Sequence, residues 1–546
     1  MINKINKIIV CLLAGLAFLN PGSTGTILAL TGLYFFITNS SQRQSRLIIS
    51  GLGLSAVVLA FWNLIKFFDL VKIAGWPLWL QSRSFTPSGG VLASAAFFLL
   101  ILPFGFQGRQ KQVLRWLFIL IILSGLAVSI WQLLTIAKPS FLPYLSGWVI
   151  AIEVFKNSPF LGVGPANFLS AFTRFKPDFY NQTPFWDFNF TVSSNYYLQL
   201  LTTVGSLGLG AWLFLIGRSF YSLSVILAFI LMFFLPINFL FLFTFFCLLA
   251  IGSRRLVVKR ANLTKKPMVS AVLVSSCLVC AGLIFYLSGR ALAAEIYYQK
   301  SLTAAEQNLG GQVYQFQIKA IELNPYQSSY RLAYSQTNFA LANALAAKGE
   351  ELTAQERQTI SQLIQQAIRE AKAAVTLNPA SSLAWENLAR LYHNLINLAQ
   401  EADQWALNAY SNTIKLNPNQ PNLRLGLGGL YYALNNFEAA ADQFKIAASL
   451  KPDLANAYYN LAAAYREQKK YAEAYQALQV TLGLVSPEAA DWEKVKKELD
   501  ELASRLQPEE AVTEAKAPLE EVLAEPEPLP SPAMEEPLEL PPESGL

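Results

Sequence analysis

The first 290 residues of the chain carry nine apolar segments and almost no acid. The segments lie at roughly 7–19, 24–38, 47–68, 91–106, 113–136, 197–217, 220–235, 237–251 and 269–288. A helix needs about 20 mostly apolar residues to cross a bilayer, and somewhat fewer where flanking groups snorkel. Residues 1–290 hold 22 Lys and Arg against four carboxylates, Asp69, Glu153, Asp178 and Asp187. Residues 291–546 reverse the balance, with 20 basic and 32 acidic side chains. A basic, apolar first part joined to an acidic, polar second part predicts a membrane domain followed by a soluble one.

Lys and Arg in short loops mark the cytoplasmic side. Lys4/Lys7, Arg43/Arg46, Arg109/Lys111/Arg115, Arg218 and the run Arg254–Lys266 fall in alternate gaps between segments. With nine spans all of these lie on one side, and the four carboxylates fall on the other or at its border. The chain then starts in the cytoplasm and ends outside it. Residues 69–90, 137–196 and everything after 289 are extracytoplasmic, which predicts a multi-pass membrane protein. The spans proper contain no carboxylate, which argues against a transporter or channel, because ion pathways keep ionisable groups within the membrane. No nucleic-acid partner is expected. The four cysteines, Cys11, Cys247, Cys277 and Cys280, lie in apolar runs and read as packing residues. No metal site and no cofactor are expected.

The second part repeats itself. Ala320-Ile-Glu-Leu-Asn-Pro325, Ala374-Val-Thr-Leu-Asn-Pro379, Thr413-Ile-Lys-Leu-Asn-Pro418 and Ala448-Ser-Leu-Lys-Pro452 are versions of one phrase. Their prolines are 54, 39 and 34 residues apart, and Pro487 follows at 35. A period of about 34 with small and aromatic residues at helical spacing resembles the tetratricopeptide repeat, over about 291–487. The resemblance implies stacked helix pairs that hold a protein partner. The 54-residue unit carries an insertion near 343–362, and the single histidine, His393, reads as a packing or surface residue of a repeat. From Pro508 onward eleven Glu, nine Pro and one Lys cannot bury a core, so the tail is predicted to be disordered. The predicted fold is all-α. Residues 1–289 form the polytopic domain of about nine spans, with the large outer loop at 137–196. Residues 290–506 form the extracytoplasmic repeat solenoid, and 507–546 the acidic tail.

The outer loop 137–196 is where chemistry would sit. It contains Trp148 in an amphipathic segment, then Pro159-Phe-Leu-Gly162-Val-Gly164-Pro-Ala-Asn-Phe168. It closes on Asn195-Tyr-Tyr-Leu198 and Gly205-Ser-Leu-Gly208 at the next helix. In this order the marks resemble the O-antigen ligase/O-antigen polymerase superfamily of membrane glycosyltransferases, over about 80–235. The resemblance implies transfer of a glycan from an undecaprenyl-diphosphate carrier to an acceptor (lipid, polymer or protein) outside the cytoplasmic membrane. Such a site needs cations for the departing diphosphate and a base for the acceptor proton. The cation candidates are Arg174, Lys176 and Arg83, with Arg290 on the same face, and Asn195 belongs to the substrate-binding set. Glu153 and Asp187 are the candidate catalytic carboxylates, with Asp178 behind them.

Two features depart from the family. Its ligases carry a histidine before the Asn of the closing motif, where this chain has Ser194. Residues 1–38 also lack the family's Ser-Arg pair, so the branch is shortened or its start truncated. These departures keep open a second expectation: a catalytically inactive relative whose repeats scaffold a polysaccharide-assembly complex.

Overall fold

The computed structural model describes residues 42–70, 86–107, 112–217, 222–253 and 267–506, save 89, 138, 237 and 397, with a few positions between 30 and 38. The regular elements among the described residues are all helices, and the chain divides into two compact units. One comprises residues 1–175 and 189–277, the other 176–188 and 278–546.

The first unit contains α1 (Gln42–Phe67), α2 (Val91–Gln107), α3 (Gln112–Gln132), α4 (Tyr144–Asn157), α5 (Phe168–Phe175), α6 (Tyr196–Gly217), α7 (Leu223–Phe234) and α8 (Phe239–Ser253). Small residues let α1 and α3 meet closely: a Cβ on Gly125 would lie 2.7 Å from that of Ala60. Asn63 donates to the Ser129 hydroxyl at 3.0 Å beside this contact, a polar link between two otherwise apolar helices. Phe98, Leu100 and Ile101 of α2 are fully buried behind them. The outward faces are apolar too, with Leu54, Val58 and Phe61 on α1 and Val113, Leu117 and Leu120 on α3 exposed.

Among the described residues three helices are long and apolar enough, by length and composition alone, to cross a membrane: Ser45–Phe67, Gln112–Ile136 and Tyr196–Phe214. Val91–Phe106, Leu223–Phe234 and Phe239–Ile251 are apolar but shorter. The 12 residues of α7 rise only ~18 Å and the 15 of α8 ~22 Å, less than a bilayer core of ~30 Å. Of the nine expected spans, 7–19 and most of 24–38 lie outside the described residues, and 269–288 falls within a longer helix. The expected span 197–217 is broken at Gly205, which takes φ 66° and ψ −167°. In an unbroken helix Tyr196 and Trp212 would be ~24 Å apart. Their ring centroids lie 5.2 Å apart, so the chain turns back sharply at the break.

The second unit begins within α9 (Pro267–Glu306), a single helix of 40 residues. It is followed by α10 (Gly310–Leu323), α11 (Ser328–Ala346), α12 (Ala354–Leu377), α13 (Ser382–Asn394), α14 (Ala402–Leu416), α15 (Pro421–Ala433), α16 (Phe437–Leu450), α17 (Ala455–Glu467), α18 (Tyr471–Leu484) and α19 (Ala490–Ala503). From α11 onward the helices pack in consecutive pairs, α11/α12 through α17/α18, and the pairs stack on one another. Glycine makes the close approaches possible, since a Cβ on Gly428 would lie 2.5 Å from the Phe444 ring. Trp385 anchors the middle of the stack, 1% exposed, with its indole N–H donated to the Pro379 carbonyl at 3.0 Å. The expected insertion near 343–362 is a lengthening of α11 and α12 around a 3₁₀ turn, Gly349–Glu351. Thr353 and Glu356 then start α12 with a reciprocal capping box.

Candidate functional site

In the first unit, the two glycine marks of the outer loop form one object. After α4 the chain makes a tight turn in which Gly162 has φ 63° and Gly164 φ 94°, conformations that suit glycine. The turn is bonded into the break of α6. Val163 N–H donates to Thr202 O at 3.0 Å, and Ser206 and Leu207 N–H donate to Pro159 O and Phe160 O at 2.9 and 3.3 Å. The Ser206 hydroxyl adds a bond to Pro159 O at 2.7 Å. Breaking a helix frees backbone groups that must be re-satisfied in an apolar setting, and the turn supplies the partners. Backbone meets backbone here. A Cβ on Gly162 would lie 2.9 Å from Gly205 N, and one on Gly205 would lie 2.7 Å from Leu161 N and closer still to the Phe160 carbonyl.

The start of α6 is equally constrained. The Asn195 side-chain oxygen accepts from Leu198 N–H at 2.9 Å, so the Asn-x-x-Leu spacing is an N-cap. Ser194, 3% exposed, donates to the Pro143 carbonyl at 3.3 Å and packs on Gly147 of α4. The position that holds a histidine in the resembled family is therefore closed by α4. The Ser146 and Ser193 hydroxyls are buried beside it and without partners. Glu153 and Lys156 form an exposed i,i+3 ion pair at 2.6 Å on α4. Arg174 ends α5, half-buried, with its guanidinium 5.4 Å from the Phe175 ring centroid. Arg83 lies outside the described residues.

The remaining loop candidates belong to the second unit. Lys176 is 1% exposed, lies 5.7 Å from the Tyr180 ring centroid and donates to the Gln420 side-chain carbonyl. Burial pushes its amine down to about 8, with Asp187 opposing that shift. The Gln420 amide nitrogen donates in turn to Asp187 at 2.9 Å, and Asn422 donates to the same carboxylate oxygen at 3.0 Å. Lys176 and Asp187 thus sit on the two sides of one amide, at the start of α15. Asp178 opens a short 3₁₀ turn, Asp178–Gln182. Arg290 donates to the carbonyls of Glu322 and Leu323 at 3.0 and 3.2 Å, satisfying the C-terminal end of α10. His393 faces the Tyr410 hydroxyl at 3.4 Å, and burial lowers its pKa. Among the described residues no group of three or more His, Cys, Asp or Glu is placed to hold a metal.

The repeats match the family model of the tetratricopeptide repeat at 404–455 and 425–489. Solved structures of repeat proteins align with part of the chain, each at a TM-score below 0.3. A structure of MamA protein has 20% identity, covers 38% of this chain and 96% of its own, and gives a TM-score of 0.29. A thermophilic TPR protein of Thermus thermophilus has 16% identity, with 39% and 100% covered and a TM-score of 0.29. YrrB, described as a TPR protein with an unusual peptide-binding site, has 17% identity, with 37% and 90% covered and a TM-score of 0.27. No curated protein matches the chain. Residues 404–489 thus carry tetratricopeptide repeats, set within the solenoid-like stack of helix pairs α11–α18, an architecture suited to holding a protein partner.

Proposed function

We propose that the chain is a membrane-embedded glycosyltransferase of the O-antigen ligase type. It transfers a glycan from a polyprenyl-diphosphate carrier to an acceptor on the outer side of the bacterial cytoplasmic membrane. The observation that carries this reading is the interlock of the Gly162/Gly164 turn with the Gly205 break, which makes one rigid feature of two separate sequence marks. Broken helices bonded to loops are how membrane proteins place polar backbone and side chains at depth. The membrane setting is supported by the outward apolar faces of α1 and α3, which water would penalise. The placement of the N-terminus inside and the repeats outside rests on the Lys/Arg pattern, and the Gly205 break removes 197–217 from the expected nine straight spans.

In this reading the acceptor oxygen or nitrogen bonds to the anomeric carbon as the bond to the diphosphate oxygen breaks. The acceptor proton passes to a base, and the diphosphate leaves on its lipid. Arg174, half-exposed at the end of α5, is the cation suited to the leaving group, with Arg83 beside it in role. Glu153 is the carboxylate on the solvent side of α4, with Lys156 as its resting partner. Lys176, Asp187 and Asn195 already satisfy bonds within the protein and serve the loop's shape.

The test is complementation of a deletion host with wild type, Arg174→Ala or Glu153→Ala, with membrane insertion checked for each. Wild type should clear polyprenyl-linked glycan, and Arg174→Ala should insert normally and let it accumulate. A wild type that never consumes donor rejects the enzyme reading. That outcome leaves an inactive relative acting as a membrane-anchored scaffold, which the engaged Asp187 carboxylate and the enclosed Ser194 favour as the second reading.

A further inference from the structure

Residues 176–188 lie in sequence between two helices of the first unit, yet they pack as part of the second. What they meet is the ends of two successive repeats. Helix α14 is capped by Asn417 and helix α16 by Lys451, both out of the helical region (φ −148° and −146°) with a proline following each. A helix end leaves carbonyls unpaired, and the proline brings no N–H to cover them.

The loop segment supplies the missing donors. Asn181 Nδ2 donates to Leu450 O at 3.2 Å and to Asn419 O at 2.9 Å, bridging the two turns with one amide. The turns answer in kind: Asn419 Nδ2 donates to Lys176 O at 2.9 Å and Lys451 Nζ to Asn181 O at 3.1 Å. The Tyr180 hydroxyl bonds to the carbonyls of Phe185 and Phe188, both at 2.8 Å, folding the segment on itself. The Trp186 ring then lies 4.9 Å from the Lys451 ammonium. Tyr180 and Asn181 are fully buried in the result.

We infer that the repeat edge formed by 417–422 and 450–453 is a docking site whose ligand is the chain's own segment 176–188, bound in cis as a releasable strap. The recognition elements are one side-chain amide across two proline-ended turns, a buried lysine on Gln420 and an indole over Lys451. An outside peptide reading the same turns must displace the strap first. Docking of the strap requires no glycan transfer.

The test uses full-length protein in nanodiscs and a fluorescein-labelled synthetic peptide of residues 176–188. Three proteins are compared: wild type, a loop variant (Tyr180→Ala with Asn181→Ala), and the loop variant carrying Asn419→Ala and Lys451→Met in addition. The loop variant should bind the peptide at least tenfold more tightly than wild type, and the turn substitutions should abolish that gain. Equal binding to wild type and loop variant, or binding indifferent to the turn substitutions, overturns the proposal. Amide exchange provides the second measurement, should the loop variant fail to fold. Residues 176–188 of wild type should exchange at least tenfold more slowly than the free peptide. Asn419→Ala with Lys451→Met should remove that protection while helices α11–α13 keep theirs. Wild-type exchange at the free-peptide rate overturns the proposal equally.

Discussion

Replacing Gly205 by alanine tests the interlock where it is tightest. At φ 66° and ψ −167° the backbone occupies a region nearly confined to glycine, and an L side chain there costs ~1–3 kcal/mol. The added Cβ also lies 2.7 Å from Leu161 N, against backbone that cannot rotate away, which adds ~1–3 kcal/mol of overpacking. Together these give about 4 kcal/mol, or roughly a thousandfold in the equilibrium between seated and open turn. The turn should open locally. Amide exchange of Val163, Ser206 and Leu207 should therefore accelerate about a thousandfold in the purified protein. Gly210 is the control: it lies in the same helix with nothing within 4 Å of an added Cβ, so Gly210→Ala should leave those amides unchanged. If Gly205→Ala alters their exchange by less than tenfold, the turn is not held by the break and the argument from close approach is wrong.

Lys176 should titrate near 8 in competitive acetylation read by peptide mass spectrometry, well below the other lysines. Because burial lowers the docked pKa beneath the free value, the undocked segment binds more protons between about 8 and the ordinary lysine value of 10.5. Strap docking should strengthen as pH rises through that window, and docking that weakens there refutes the assignment. Trp385→Ala removes a nearly fully buried indole and should cost the repeats ~3–5 kcal/mol, read as an earlier thermal loss of amide protection in α11–α14. Trp492→Ala, at a half-exposed ring beside Lys496, should cost under ~1 kcal/mol, and equal losses would contradict the placement of the core.

The repeats were legible because their signal is periodic. Asn417-Pro418 and Lys451-Pro452 close helices at a fixed interval. The six central apolar segments were legible as helices from hydropathy, which reports apolar length and nothing of continuity. The Gly205 break escaped it for that reason, since the segment around Gly205-x-x-Gly208 stays apolar enough on average to read as one span. The roles of Lys176 and Asp187 escaped for a different reason. Their partners, Gln420 and Asn422, are more than 230 residues away in sequence, and a pairing that distant leaves no periodic trace. Loop charges beside a glycine turn read as chemistry until the side chains that hydrogen-bond them are known.

The separation between Asn181 and Lys451 is 270 residues, which also fixes an order of assembly. At a translation rate of about 5–20 residues per second, the strap leaves the ribosome roughly 14–54 s before the turn that receives it. The segment between Phe175 and Asn189 must spend that interval without its seat, while helices α6–α10 and the pairs α11/α12 to α15/α16 are still being made. Its burial is therefore a late event in the biogenesis of the chain. A nascent protein truncated before Lys451 would display the aromatic loop to whatever chaperone or protease waits on that side.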